Sequence, residues 1–287
     1  MIKANTSTRK PGERRITGIL LILFFSILGF IMLLPFFSIL LTSFKDSSTI
    51  IKNGFNLQIS RETFTFANYK YLFTGDHEYF RWFGNSIFLT VVQTVLTLFI
   101  SAWVGYGFAF YDFKGKSFLF ICVLIEMMIP FEILMLPMYR EIVTMKLTNH
   151  FIGIMLPYLA HPIAIFFFHQ YLRSIPKELL DAGRIDGCSE YGIFLRIILP
   201  IMQPAFAAMA IFIGMTSWNN FLWPLLVLSD SSKFTLPIGL NSLLGPYGNH
   251  YTLLISGAVM TVLPIMILFF SAQKFFIEGM STGSVKG

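Results

Sequence analysis

Two carboxylates stand inside one apolar run of this 287-residue chain, Glu126 and Glu132, in the stretch 118–139. A carboxylate at the middle of a bilayer costs about 2.5–3.5 kcal/mol on insertion scales, so each needs a partner, a proton or water. Six residues along a straight helix leave the two about 120° apart, so they are not expected to form one paired relay. Pro130 lies between them and cannot donate to the Glu126 carbonyl, which predicts a kink there. Such residues can line a path that hydrogen-bonds a hydroxylated solute; they can also hold a neighbouring subunit or stay protonated. A second polar group, Thr216-Ser217-Trp218-Asn219-Asn220, interrupts another apolar run, with Pro224 four residues after Asn220. The proline is expected to free the Asn220 carbonyl, which then asks for a cavity or a partner. Side-chain amides bond hydroxyls and an indole face packs on C–H groups, a pairing that suits a sugar ring. Asn and Ser also hold membrane helices together, and helix packing with gating is the first expectation here, ahead of direct substrate contact.

Other arrangements carry no chemistry. His161 and His169 have no carboxylate or cysteine at ligand spacing, so no metal site is expected. Gly115-Lys116-Ser117 resembles the end of a phosphate-binding loop, but position 110, where its first glycine belongs, is Phe110, and no strand precedes it. No nucleophile–base pair, metal motif or acidic dyad appears, so no catalytic residue and no cofactor are expected. Cys122 lies in an apolar run and Cys188 in a charged loop, and both read as free thiols.

The elements that must position these groups follow from composition. Hydrophobic residues make up 55% of the chain and charged residues 13%, about half of the roughly 25% that a wet surface carries. With a mean hydropathy of +0.69, the excess apolar surface must face lipid. Nucleic acid is a poor explanation of the pI near 9.3, because no basic run is interleaved with aromatics. Six apolar stretches are long enough to cross a bilayer, at residues 16–41, 85–111, 118–139, 151–171, 205–228 and 252–273. The first follows Arg14-Arg15, yet it is far longer than the apolar core of a signal peptide and no small-residue cleavage site follows it, so it reads as an uncleaved anchor. Placing the N-terminus inside leaves 13 of the 21 Lys and Arg on inner segments. Five of the remaining eight sit in the long outer segment 42–84, where the charge rule is weak, so both termini should be cytoplasmic. Within that outer segment a short surface helix is expected near Asn68. The fold class is therefore an all-α membrane protein: a short inner N-terminus (1–15), a six-helix domain (16–276) and an inner tail (277–287).

One inner loop, residues 172–204, is too structured for a connector. Ser174 can cap a helix with Pro176 in its first turn, and Leu179, Ala182, Gly183 and Asp186 follow on one face. Gly187 supplies a turn, and Ser189 can start a second helix that Pro200 closes. Two short helices with small residues on an exposed face make a knob that another protein can approach closely.

Here the chain resembles the permease subunits of ATP-binding-cassette importers. Their signature is Glu-Ala-Ala, three residues, Gly, nine residues, Ile, one residue, Leu-Pro. This sequence reads Asp181-Ala182-Gly183, then Gly187, then Ile197 and Leu199-Pro200, with every spacing kept. Asp181 is one methylene short of Glu, and Gly183 replaces the second Ala. The stretches Ile175–Leu179, Ser217–Pro224, Met128–Pro130 and Gly283–Gly287 are similar to the carbohydrate branch of that family, most of all to the second of its two permeases. The resemblance implies the type I importer permease fold and alternating access. It implies that the 172–204 loop docks in a cleft of a cytoplasmic ATPase, and that the tail, through Gly283, Val285, Lys286 and Gly287, reaches the same partner. It implies a heterodimer with a second permease, two ATPase subunits that bind the ATP, an extracellular solute-binding protein, and a sugar or oligosaccharide as cargo, in the plasma membrane of a prokaryote. The rival is a secondary transporter driven by an ion gradient, with Glu126 and Glu132 as its ion sites. An inverted repeat would favour it, and none is visible.

Overall fold

The computed structural model describes residues 11–45, 63–245 and 248–283. The chain divides into two compact units, Met1–Gly75 with His250–Val259, and Asp76–Asn249 with Met260–Gly287. Three single helices are long and apolar enough to cross a membrane, at Thr17–Ser43, Tyr79–Phe110 and Tyr251–Ser271. Three bent helix pairs bring the number of candidate spans to as many as six.

In the smaller unit, a run with no polar face can satisfy its backbone in lipid only as a helix. Pro11–Ser43 is that helix, and none of its most apolar window is buried within the chain. Its carbonyl end is closed by Asn68. That buried amide donates to the carbonyls of Ser43 (2.8 Å) and Lys45 (2.7 Å). The expected surface helix runs Ala67–Thr74, so Asn68 lies in its first turn and serves the preceding helix rather than its own.

The larger unit is built on Tyr79–Phe110, which packs on Pro162–Leu172 and Gln203–Trp218. Its contact side carries Thr97, Ser101 and Ala102, all fully buried. At Gly105 a Cβ would stand 3.0 Å from the backbone nitrogen of His169 and 3.2 Å from the Ile165 carbonyl, so only glycine lets the two helices come this close. The helix begins at Tyr79, six residues before the expected start, because its first turns are bound by a loop. Trp82 Nε1 donates to the Ser231 carbonyl (2.9 Å), Asn85 Nδ2 to the carbonyls of Ser232 and Phe234 (both 3.0 Å), and Ser86 Oγ accepts from Leu236 N–H (2.7 Å).

The remaining crossings are not the straight spans that hydropathy suggested. Lys116–Glu126 and Phe131–Thr144 meet at 107° across residues 127–130, a much larger break than a proline kink. Phe151–Tyr158 and Pro162–Leu172 meet at 43°. Gln203–Trp218 ends just before Asn219, and a new helix starts at Leu222. Pro224 therefore falls in a first helical turn, where its missing N–H costs nothing, and the interruption sits at residues 219–221 instead of at a kink made by the proline. The last helix, Tyr251–Gly283, runs past residue 276, where the membrane domain was expected to end.

Candidate functional site

The 107° break decides what Glu126 and Glu132 can do. Glu126 ends one helix and Glu132 lies in the first turn of the next, so the 120° separation of a straight helix does not apply. Both line one cleft of about 490 Å³. Glu132 sits where unpaired N–H groups of a helix start favour an anion. Among the described residues neither carboxylate has an ion pair, and both are exposed on this chain.

Asn219 and Asn220 reach the same cleft from the interrupted helix. Asn219 Nδ2 donates to the Met215 carbonyl (2.8 Å), closing the helix end, and Asn220 Nδ2 donates to Tyr158 Oη (3.1 Å). Tyr158 is fixed in turn by Phe131, stacked at 5.0 Å, and by the bond from Thr97 Oγ1 to its carbonyl at 2.9 Å. Thr216 of the same polar stretch also lines the cleft, and two polar residues that the sequence did not single out for it complete the lining, Tyr158 and His161. In the sequence His161 stands out only as a histidine without metal-ligand partners. Among the described residues no group of three His, Cys, Asp or Glu could hold a metal, and the buried His161 Nδ1 has no hydrogen-bond partner. No local signal marks Tyr158 or His161 for this cleft, because the bends bring them to it.

Trp218 does not join the two asparagines. It is buried with its ring edge-on to Phe83 at 5.8 Å and lines a separate apolar slot of about 510 Å³. The indole at the cleft is Trp223, fully buried, whose Nε1 donates to the Ile154 carbonyl at 3.2 Å. Trp218 and Asn219–Asn220 therefore cannot grip one ring from the same side.

The loop 172–204 has the two-helix form, with different boundaries. Its first helix is Glu178–Ile185, because Ser174 Oγ donates to the Tyr171 carbonyl (2.7 Å) and closes the previous helix instead of capping the next. Gly187 turns the chain at φ +77°, and Ser189 caps the second helix by accepting from Gly192 N–H. Pro200 does not close it. The segment Phe194–Ile198 widens into a π turn, with Leu199 N–H donating to the Phe194 carbonyl, and helix continues through Ile201. The wide turn makes room for a ring that would otherwise strike the Arg196 carbonyl.

The small face is split. Asp181, Ala182, Asp186 and Gly187 are exposed, whereas Gly183 is buried against the second helix. A Cβ on Gly183 would stand 2.8 Å from Ile197 Cδ1 and 3.1 Å from Ile193 Cγ1. Gly183 and Ile197 thus hold the loop's two helices together and do not belong to an outer docking face. Leu199 is half-buried and Pro200 exposed. Leu180, Ile193, Phe194 and Ile198 are continuous with Ala102, Tyr106, Phe168 and Met209 of the bundle, so the loop shares one core with the membrane helices.

Arg184, which no motif pointed to, ties the loop together. It bonds Asp181 Oδ1 and Glu190 Oε1, each at 2.8 Å, and Glu190 accepts from the Tyr111 hydroxyl. The two carboxylates, Glu190 first, hold the Arg184 guanidinium above its ordinary value. Asp181 is therefore not a free anion awaiting a basic partner, and a charge reversal there would disturb this internal pair as well. At the loop's tip Ile185 is 86% exposed, a large apolar side chain left uncovered by this chain. Of the tail residues, Gly283 ends the last helix, and Val285, Lys286 and Gly287 lie outside the described residues.

Comparison with known proteins supplies the family. Residues 101–282 match the family described as binding-protein-dependent transport system inner membrane component. The chain is 51% identical over 269 residues, 94% of its length and 96% of the relative's, to the arabinooligosaccharides transport system permease protein AraQ of Bacillus subtilis (strain 168). It is 33% identical over 275 residues, 96% of its length and 98% of the relative's, to the lactose transport system permease protein LacG of Rhizobium radiobacter. The fold matches a chain in the crystal structure of a bacterial ABC transporter involved in the import of the acidic polysaccharide alginate. That match has a TM-score of 0.79 and 20% identity, and covers 94% of this chain and all of that one. The chain belongs to the inner membrane components of binding-protein-dependent transport systems, and is the non-catalytic permease subunit of such an importer.

Proposed function

We propose that this permease imports arabinooligosaccharides into the cytoplasm, paired with a second, non-identical permease. An external binding protein delivers the sugar, and two ATPase subunits on the cytoplasmic face drive the cycle. The cargo is inferred from the relative named for it, which this chain matches over nearly its whole length. The observation that carries the mechanism is the shared core of the loop and the bundle. A rigid body seated on the ATPase at Ala182, Ile185, Asp186 and Gly187 moves the Tyr79–Phe110 and Gln203–Trp218 helices with it. The cleft beneath the break at residues 127–130 is open on this chain, and the second permease closes it around the solute. In this reading Glu126, Glu132, Asn219 and Asn220 are its polar wall, Trp218 is a helix-packing residue, and the tail beyond Gly283 meets the ATPase. The complete transporter in proteoliposomes should take up labelled arabinooligosaccharide only with ATP and binding protein present. Uptake driven by an ion gradient without ATP would replace this reading with a secondary transporter.

Two further outcomes are expected. With the native Cys122 and Cys188 replaced by serine, single cysteines at Lys70 and Ser231 should react with an impermeant reagent added outside, and one at Ser189 should not. Outside labelling at Ser189 would invert the orientation. Glu132→Gln should weaken apparent affinity for the sugar about tenfold or more, the loss of one hydrogen bond to a charged group, with assembly intact. Weakened assembly with unchanged affinity would make Glu132 an interface residue.

A further inference from the structure

A second polar cleft, of about 460 Å³, opens on the end of the larger unit that carries the 172–204 loop, and neither the solute path nor the ATPase-docking face uses it. Lys116, Arg173 and Lys177 bring three cations to it, with Phe108, Phe110 and Ile175 as its apolar wall. Asp112, 3.0 Å from Lys116 Nζ, is the one carboxylate paired with any of the three among the described residues, and its side chain is 90% exposed. Arg173 and Lys177 have no ion pair among those residues. His169 also lines the cleft. It is only 8% exposed, and its buried Nδ1 has no hydrogen-bond partner. Two cations without an ion pair, gathered with a third in one cleft, call for a ligand that brings negative charge.

The level of the cleft identifies the source. Lys116 opens the apolar helix Lys116–Glu126, and Arg173 follows the last residue of Pro162–Leu172, so both cations stand where membrane-crossing helices meet the surface. Within three residues of Lys116, Phe113, Phe118 and Leu119 are exposed by 43%, 69% and 48%, an apolar surface suited to acyl chains. Basic pockets between helices at this depth take lipid head groups. We propose that this cleft binds a phosphate-bearing anion, supplied by the head group of an anionic phospholipid of the adjoining leaflet.

The test uses the complete transporter, stripped of bound lipid and titrated with phosphatidylglycerol or phosphatidylcholine, with bound lipid counted by native mass spectrometry. Wild type should retain phosphatidylglycerol in preference to phosphatidylcholine. An Arg173→Gln/Lys177→Gln double variant should lose affinity for phosphatidylglycerol by roughly 10–30-fold, the effect of two surface cations at about 1 kcal/mol each. Lys114→Gln, which removes a nearby cation that does not line the cleft, should change nothing. Equal retention of the two lipids by wild type, or equal affinity of wild type and double variant, would overturn the site. On wild type alone, inorganic phosphate at millimolar concentration should fail to displace phosphatidylglycerol; displacement would assign the cleft to free phosphate and overturn the lipid source. A photo-crosslinker at position 177 should capture lipid. Capture of an ATPase segment instead would overturn the proposal in favour of a protein anion, and this measurement needs no charge-removing variant to fold.

Discussion

A transporter carrying Gly187→Val is expected to insert and pair normally yet lose most of its sugar uptake. Gly187 is exposed, and a Cβ built on it meets nothing within 4 Å, so space is not the constraint. The constraint is its φ of +77°, which a β-branched residue adopts only at a cost of about 1–3 kcal/mol. That strain is relieved if the turn opens, which separates Glu178–Ile185 from Glu190–Ile193 and would disrupt the proposed seat on the ATPase. At about 1.4 kcal/mol per tenfold, the competent loop falls roughly 5- to 140-fold. Gly187→Asn should lose much less, because asparagine tolerates the left-handed region. The measurements are ATPase co-purification and ATP-driven uptake, side by side. If valine and asparagine variants both match wild type, this turn does not shape the coupling element.

The second large effect separates two adjacent small residues. Gly183→Leu should destabilise the loop, because even its Cβ would press on Ile197 and Ile193. Overpacking of this kind costs about 1–3 kcal/mol, and the damage spreads into the core that the loop shares with the bundle. A lowered Tm of the purified complex and weakened uptake are expected together. Ala182→Leu points outward, so it should leave Tm unchanged while weakening ATPase association. A fall in Tm for Ala182→Leu, or none for Gly183→Leu, would reverse the assignment of inner and outer faces.

The two substitutions also show where the signature stops being informative. Its spacing locates the loop and the turn at Gly187, and the residue type of Ser189 locates the cap, because these depend on residues a few positions apart. It does not say which way Gly183 faces. That is set by Ile193 and Ile197, brought back across the turn. Arg184 was silent for the same reason: its second partner, Glu190, lies on the other helix and is itself held by Tyr111 at the end of a membrane helix.

Composition and apolar runs determined by themselves that this chain is helical, that it lives in lipid, and about where its crossings lie, since a backbone in hydrocarbon has few ways to satisfy its hydrogen bonds. The loop motif determined the family that the comparisons show. Tertiary structure alone decided the polar cleft. Hydropathy averages over about twenty residues and cannot distinguish a straight span from two helices meeting at 107°, so Glu126 and Glu132 read as residues on different faces. The same averaging joined Trp218 to Asn219 as one polar turn, although the helix ends between them and they face different cavities. Where a membrane helix breaks depends on whether other helices can take up the freed backbone and side-chain groups. Thr97, Tyr158 and Trp223 do so here from three separate segments of the chain.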